Sequence, residues 1–215
     1  MRVVFGGTFD PVHNGHLRMA TELAQVLEVG HIDLMPCYLP VHKASVSASS
    51  ADRERMLALA TAEDPLLTID SREIFNQGPS YTIESVRAIK QEIGREPLVL
   101  AMGGDSALQL DSWYCASELS TYVHLAVMER PGFQVDSKIL ESLGFCLSEG
   151  PASLSVRESG SAVVVRLNLL QISSTYIRRC VHEKKSIRYL VPDAVANYIC
   201  DNELYQDPRA EVIPN

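Results

Sequence analysis

A glycine turn set between a β-branched run and an amphipathic stretch constrains this chain more than any other feature. Val3-Val4-Phe5 reads as a first strand, and Leu17-Arg18-Met19-Ala20-Thr21-Glu22-Leu23-Ala24 carries the apolar spacing of a helix. Between them lies Gly6-Gly7-Thr8-Phe9-Asp10-Pro11-Val12-His13-Asn14-Gly15-His16. Strand, glycine turn and helix in succession aim backbone N–H groups and a helix N-terminus at one point, which suits a phosphate. Glycines let a polyanion approach the backbone, and His13 and His16 can donate hydrogen bonds to it. The same two imidazoles could instead hold zinc with Asp10 or sit as satisfied loop histidines, but no further His or Cys at ligand spacing accompanies them.

Strand and helix patterns alternate along the rest of the chain, which argues for a parallel sheet covered on both faces. Expected strands fall at His31–Pro36, Leu66–Ile69, Pro97–Met102, Tyr122–Met128 and Ala162–Leu167. Helices are expected from near Asp52, over Ile83–Ile93, after Ser173-Ser174 and after Pro192, with Ser148–Ser161 an irregular excursion. The prediction is an α/β fold: a single doubly wound, Rossmann-like parallel sheet, one domain over residues 1–215 with 206–215 a frayed tail. Ligands of such sheets sit at the carboxyl ends of the strands. The turns Gly6-Gly7, Gly103-Gly104-Asp105 and Ser173-Ser174 all fall there.

Composition narrows the partners. A net charge of −8 argues against a nucleic acid on an extended basic face, so positive potential must be local, from Lys43, Arg178, Arg179, Lys184 or Lys185. The longest apolar runs, such as Leu98–Met102, are too short to cross a bilayer, and the N-terminus enters a strand without a signal-peptide pattern. Cys37, Cys115, Cys146, Cys180 and Cys200 are dispersed with no C-x-x-C pair, the usage of reduced thiols in a cytoplasmic protein.

The turn resembles the nucleotidyltransferase superfamily marked by H-x-G-H after the first strand, here His13-Asn14-Gly15-His16. The longer G-G-T-F-D-P-x-H-x-G-H resembles the bacterial nicotinate-mononucleotide adenylyltransferases. Ile172-Ser173-Ser174-Thr175-Tyr176-Ile177-Arg178 is similar to that family's second motif, which grips a triphosphate. Physically, Ser173 and Ser174 begin a helix whose free N–H groups can hold phosphate oxygens, and Arg178 lies one turn along, leaning back toward them. By itself the segment would also serve as an ordinary capped helix with a surface arginine.

The resemblance implies roles for further residues. His13, His16 and Arg178 are the expected catalytic residues. Gly7, Thr8, Phe9, Gly103, Asp105, Ser173, Ser174 and Thr175 are expected to bind ATP. Asp105 could equally cap the helix that follows it. Ser80-Tyr81-Thr82 and Trp113-Tyr114 resemble the acceptor pocket, with Trp113 stacked on the pyridine ring and backbone N–H groups at Thr82 and Tyr114 meeting its carboxylate. Trp113 could also be plain core packing. Lys43, in a loop Pro40-Val41-His42-Lys43 with valine where proline is usual, would meet the acceptor's phosphate. Glu183-Lys184-Lys185 stands where many relatives carry glycine. His31, His124 and His182 have no motif context and read as structural or exposed.

The implied reaction joins ATP and nicotinate mononucleotide, giving the deamido dinucleotide and pyrophosphate. Mg²⁺ is expected to arrive with ATP, since no acidic cluster is dedicated to it. Pantetheine-phosphate adenylyltransferase and glycerol-3-phosphate cytidylyltransferase share the H-x-G-H turn. The first usually has threonine where His13 stands, and the second lacks a region like Ser80–Thr82 with Trp113. A catalytically silent nucleotide sensor would tend to lose an imidazole or the arginine, and His13, His16 and Arg178 are all present.

Overall fold

The computed structural model describes residues 1–39, 46–76, 78–129, 136–168 and 170–206. β1 (Arg2–Gly7) leads through the glycine turn into α1 (Asn14–Leu27), and β2 (Ile32–Pro36) follows. Next come α2 (Ser50–Thr61), β3 (Leu67–Ile69), the short α3 (Arg72–Asn76) and α4 (Thr82–Ile93). β4 (Leu98–Gly103) runs directly into α5 (Gly104–Ala107), then α6 (Leu119–Tyr122) and β5 (His124–Glu129). The remainder is α7 (Ser137–Ser142), β6 (Cys146–Ser148), β7 (Ser161–Arg166), α8 (Ser174–His182) and α9 (Asp193–Asp201).

Among the described residues the strands form one sheet in the order β3-β2-β1-β4-β5-β7-β6, every pair parallel. The chain works outward from β1 to β3, then returns to place β4 on the other side of β1. That reversal leaves a crevice above the carboxyl ends of β1 and β4, where open α/β sheets bind ligands.

Side chains alternate across each strand, so the sheet feeds two cores. Val3 and Phe5 of β1, Val99 and Ala101 of β4, and Ala126 and Met128 of β5 pack with Leu23 of α1, Leu57 of α2 and Val195 of α9. Their neighbours Val4, Leu100, Met102, Leu125 and Val127 pack instead with Ile83, Val86 and Ile89 of α4. Near-continuous apolar strands are what a sheet buried on both faces requires. α1 meets its face through Met19, Ala20, Leu23, Ala24 and Leu27, and burying Leu23 alone is worth about 2 kcal/mol.

Several sequence expectations shift here. α2 starts at Ser50 rather than near Asp52, because Ser49 Oγ accepts the Asp52 N–H at 3.1 Å. The fifth strand starts at His124, not Tyr122: residues 119–122 close a helical turn first, with the Val123 N–H bonded to the Leu119 carbonyl. The excursion after Ser148 is a 3₁₀ turn at Pro151–Ser155. It is preceded by edge strand β6, three residues without a β-branched side chain that gain strand form only from the ladder to β7. The turn after α8 puts Lys184 at φ 54°, so it keeps a left-handed bend without glycine. The expected tail, beyond Gln206, lies outside the described residues.

His124 proves structural. It is fully buried, its Nδ1 accepting the Ser161 N–H at 3.1 Å. That assignment puts the proton on Nε2, which donates to the Arg157 carbonyl at 3.0 Å. Burial pushes its pKa down and keeps it neutral.

Candidate active site

The turn after β1 is shaped by rings packed around missing side chains. Phe9 is buried at φ 49°, a conformation costly for a non-glycine residue. Its ring lies beneath Gly7, where a Cβ would come within 2.9 Å of it. It also meets the His16 ring edge-on at 5.0 Å. The His13 ring packs on Gly15 in the same way, a Cβ there falling 2.9 Å from Nδ1. Both glycines are therefore required by close approach. The His13 and His16 rings stack, with centroids 3.6 Å apart and planes 15° from parallel.

His13 is also the N-cap of α1, its Nδ1 accepting the His16 N–H at 3.2 Å. An accepting Nδ1 places the neutral ring's proton on Nε2 and makes that edge a donor. Among the described residues no group of three His, Cys, Asp or Glu side chains could hold a metal. The zinc alternative for His13, His16 and Asp10 therefore loses its geometry. Asp10 is buried and committed elsewhere, accepting from the Ser47 and Ala48 N–H groups at 2.8 and 3.1 Å and from the Tyr205 hydroxyl at 2.9 Å. Burial and the neighbouring Asp10 charge raise the Tyr205 pKa far above its ordinary value, so the phenol stays a donor.

α8 docks directly on this turn. Ser173 is its N-cap, accepting the Tyr176 N–H at 3.2 Å, and the Ser174 hydroxyl donates to the Pro11 carbonyl at 2.9 Å. Arg178 leans back as helical geometry requires, donating to the Asp10 carbonyl at 2.8 Å and to Thr175 Oγ1 at 3.3 Å. The Ser174 hydroxyl thus clasps the turn, which leaves the backbone N–H groups of the α8 N-terminus as its anion donors.

Arg53 was not singled out by its sequence. It is fully buried, and its Nη1 donates to the Thr8 and Cys37 carbonyls at 2.8 and 2.7 Å while Nη2 donates to the Tyr38 carbonyl at 2.8 Å. One guanidinium fork thereby joins the turn to the segment after β2. In the run Asp52-Arg53-Glu54-Arg55 it reads as one more surface charge. The available signal was its helical spacing with Met56 and Leu57, both fully buried.

Across the crevice, Gly103 ends β4 and N-caps α5. The exposed Asp105 carboxylate folds back over Gly103, its Oδ1 2.5 Å from where a Cβ on that glycine would stand. Asp105 is thus not the N-cap of that helix. Thr82 opens α4, and Trp113 ends a 3₁₀ turn at Leu110–Ser112. Gly7, Thr8, Thr82 and Trp113 line one cavity of about 150 Å³ with Glu73 and Ser80. Tyr114 lies outside this lining, 55% exposed, its ring 4.7 Å from that of Tyr81. Lys43 and the Pro40–Lys43 loop lie outside the described residues.

Residues 4–180 match the family model described as Cytidylyltransferase-like. Over 207 residues the chain is 41% identical to a Marinomonas sp. (strain MWYL1) protein named "Probable nicotinate-nucleotide adenylyltransferase", spanning 94% of this chain and 93% of that one. A Cellvibrio japonicus (strain Ueda107) protein of the same name is 42% identical over 205 residues, spanning 94% and 97%. The chain belongs to the nicotinate-nucleotide adenylyltransferase family. Its fold is also that of Plasmodium falciparum nicotinic acid mononucleotide adenylyltransferase complexed with NaAD, at TM-score 0.74 and 17% identity over 94% of this chain and 96% of that one. In this chain the H-x-G-H turn, the Gly103–Asp105 bend and the α8 N-terminus lie around the crevice that the strand order creates.

Proposed function

We propose that the protein, acting as one domain over residues 1–215, transfers the adenylyl group of ATP to nicotinate mononucleotide. The products are nicotinic acid adenine dinucleotide and pyrophosphate. One observation carries the reading: Gly7 and Thr8 of the phosphate turn share a cavity with Thr82 and Trp113. A nucleotide phosphate and a planar acceptor ring can therefore meet within one enclosure.

The attacking group is the acceptor's phosphate monoester, whose second pKa of about 6 leaves it nucleophilic at neutral pH. An acceptor oxygen bonds to the α-phosphorus as the bond to the β-phosphate oxygen breaks, and pyrophosphate departs with that electron pair. No proton abstractor is needed, so the protein contributes position and charge stabilisation. His13 and His16 donate to the α-phosphate oxygens, with Thr8 and the backbone of Gly7 and Phe9 around the same group. Arg178, Thr175 and the Ser173-Ser174 end of α8 face the leaving phosphates, where helix N–H groups and a guanidinium favour growing negative charge. Gly103 and Asp105 receive the ribose of ATP. Enzymes of this class take ATP with a divalent metal. Here it is Mg²⁺ and belongs to the substrate, keeping its own waters.

On the acceptor side, Trp113 stacks on the pyridine ring while N–H groups at Thr82 and Tyr114 meet its carboxylate, and Lys43 meets the phosphate. A helix N-terminus favours the anionic acid over the neutral amide. The five dispersed cysteines support a cytoplasmic setting. Mixing the protein with MgATP and nicotinate mononucleotide should release pyrophosphate. The acid should also exceed nicotinamide mononucleotide in kcat/KM by at least about tenfold, the return on roughly 1.4 kcal/mol of selective binding. A ratio near unity rejects the acceptor assignment.

A further inference from the structure

The acceptor wall contains a buried carboxylate to which neither motif assigns a task. Glu73, in α3, is 6% exposed and lines the cavity beside Ser80, Thr82 and Trp113. Its Oε1 accepts the Ser85 hydroxyl at 2.7 Å. Ser80 Oγ meanwhile accepts the Tyr38 N–H at 2.9 Å.

These bonds tie down the segment that opens α4. The Ser80 N–H donates to the Leu39 carbonyl at 3.1 Å, and Leu39 bridges Pro79 in parallel fashion. Through Ser85, Glu73 holds the first turn of α4. The helix that carries Glu73 is itself anchored. Arg72 Nε donates to both Asp70 oxygens at 2.8 Å, its Nη1 and Nη2 donate to Glu92 at 3.0 Å each, and Arg2 reaches Asp70 at 2.9 Å. The carboxylate is a fixed point against which Thr82 is located.

We infer that Glu73 is a positioning residue for acceptor recognition, holding the Thr82 end of α4 through Ser85 at the distance the acceptor ring requires. This rests on the acceptor reading above. A charge-assisted hydrogen bond from Ser85 makes the ionised carboxylate the form that grips the helix start. Burial, foremost, and the nearby Asp70 charge raise its pKa, while Ser85, Ser80 and Arg72 oppose the rise.

The test is steady-state kinetics with each substrate varied in turn. E73A should raise KM for nicotinate mononucleotide about tenfold, the return on losing one charge-assisted contact, with KM for ATP and kcat within about twofold of wild type. E73Q keeps the shape and one acceptor, and should recover most of the loss. In an S85A background the E73A substitution should add little, since the two act through one contact. Parallel movement of both KM values, or unchanged acceptor KM in E73A and E73Q alike, overturns the assignment. If E73A fails to fold, S85A decides alone: its acceptor KM should rise with the KM for ATP unchanged, and an unchanged acceptor KM overturns the assignment. Absence of wild-type turnover with nicotinate mononucleotide rejects the acceptor reading itself, a separate outcome from a silent Glu73.

Discussion

In the turn from Gly6 to His16, ring packing around the two imidazoles includes close neighbours within the turn and its flanking strand: Phe9 under Gly7, His13 on Gly15, and Phe5 and Phe9 edge-on to His16. The wall opposite draws Glu73, Ser80, Thr82 and Trp113 from separate segments, held by bonds such as Tyr38 to Ser80 and Ser85 to Glu73. A local device can be read, and broken, one residue at a time. A wall of distant parts fails through its anchors instead.

The largest effect should come from the turn. His16→Ala should lower kcat roughly 100-fold, the return on about 3 kcal/mol of transition-state stabilisation, with the melting temperature nearly unchanged. Near-normal kcat in that variant would reject the role of the paired imidazoles.

Arg53→Met tests the seam between the two regions. Losing the fork leaves the Thr8, Cys37 and Tyr38 carbonyls without their donor, which should cost about 2 kcal/mol of stability and lower the melting temperature by about 5 °C. Both KM values should rise together. A change confined to one substrate would mean that the guanidinium serves only one side.

His124 supplies the smallest effect, remote from both regions. Its folded pKa lies below the unfolded value, so its contribution to stability is complete above about pH 6.5 and drains away as pH falls toward the folded pKa. The urea midpoint of wild type should therefore drop between pH 7 and pH 5. In His124→Gln the drop should be smaller, and equal slopes would show that other groups carry the acid sensitivity.

The same contrast explains what could be read in advance. The strand–turn–helix frame, the strand alternation and the helix over Ile83–Ile93 follow from side-chain period and glycine placement, and the structure keeps them within a few residues. β6 escaped notice because three weak strand formers show no period, and the ladder to β7 alone gives them form. Arg53 and Glu73 escaped for a shared reason. A charged residue defaults to the surface unless a partner pays for its burial, and here the partners sit far along the chain or are backbone carbonyls that no side-chain pattern marks. Tyr205 likewise reaches Asp10 across the whole length of the fold.

Sequence alone determined the local form of the glycine turn, because glycines that admit a ring and histidines that stack beside it act over distances the local chain already spans. Tertiary structure decided how the acceptor wall is aimed. That aim depends on Arg53 and Glu73 being desolvated and paired, and their partners meet them only when the sheet closes and its helices dock.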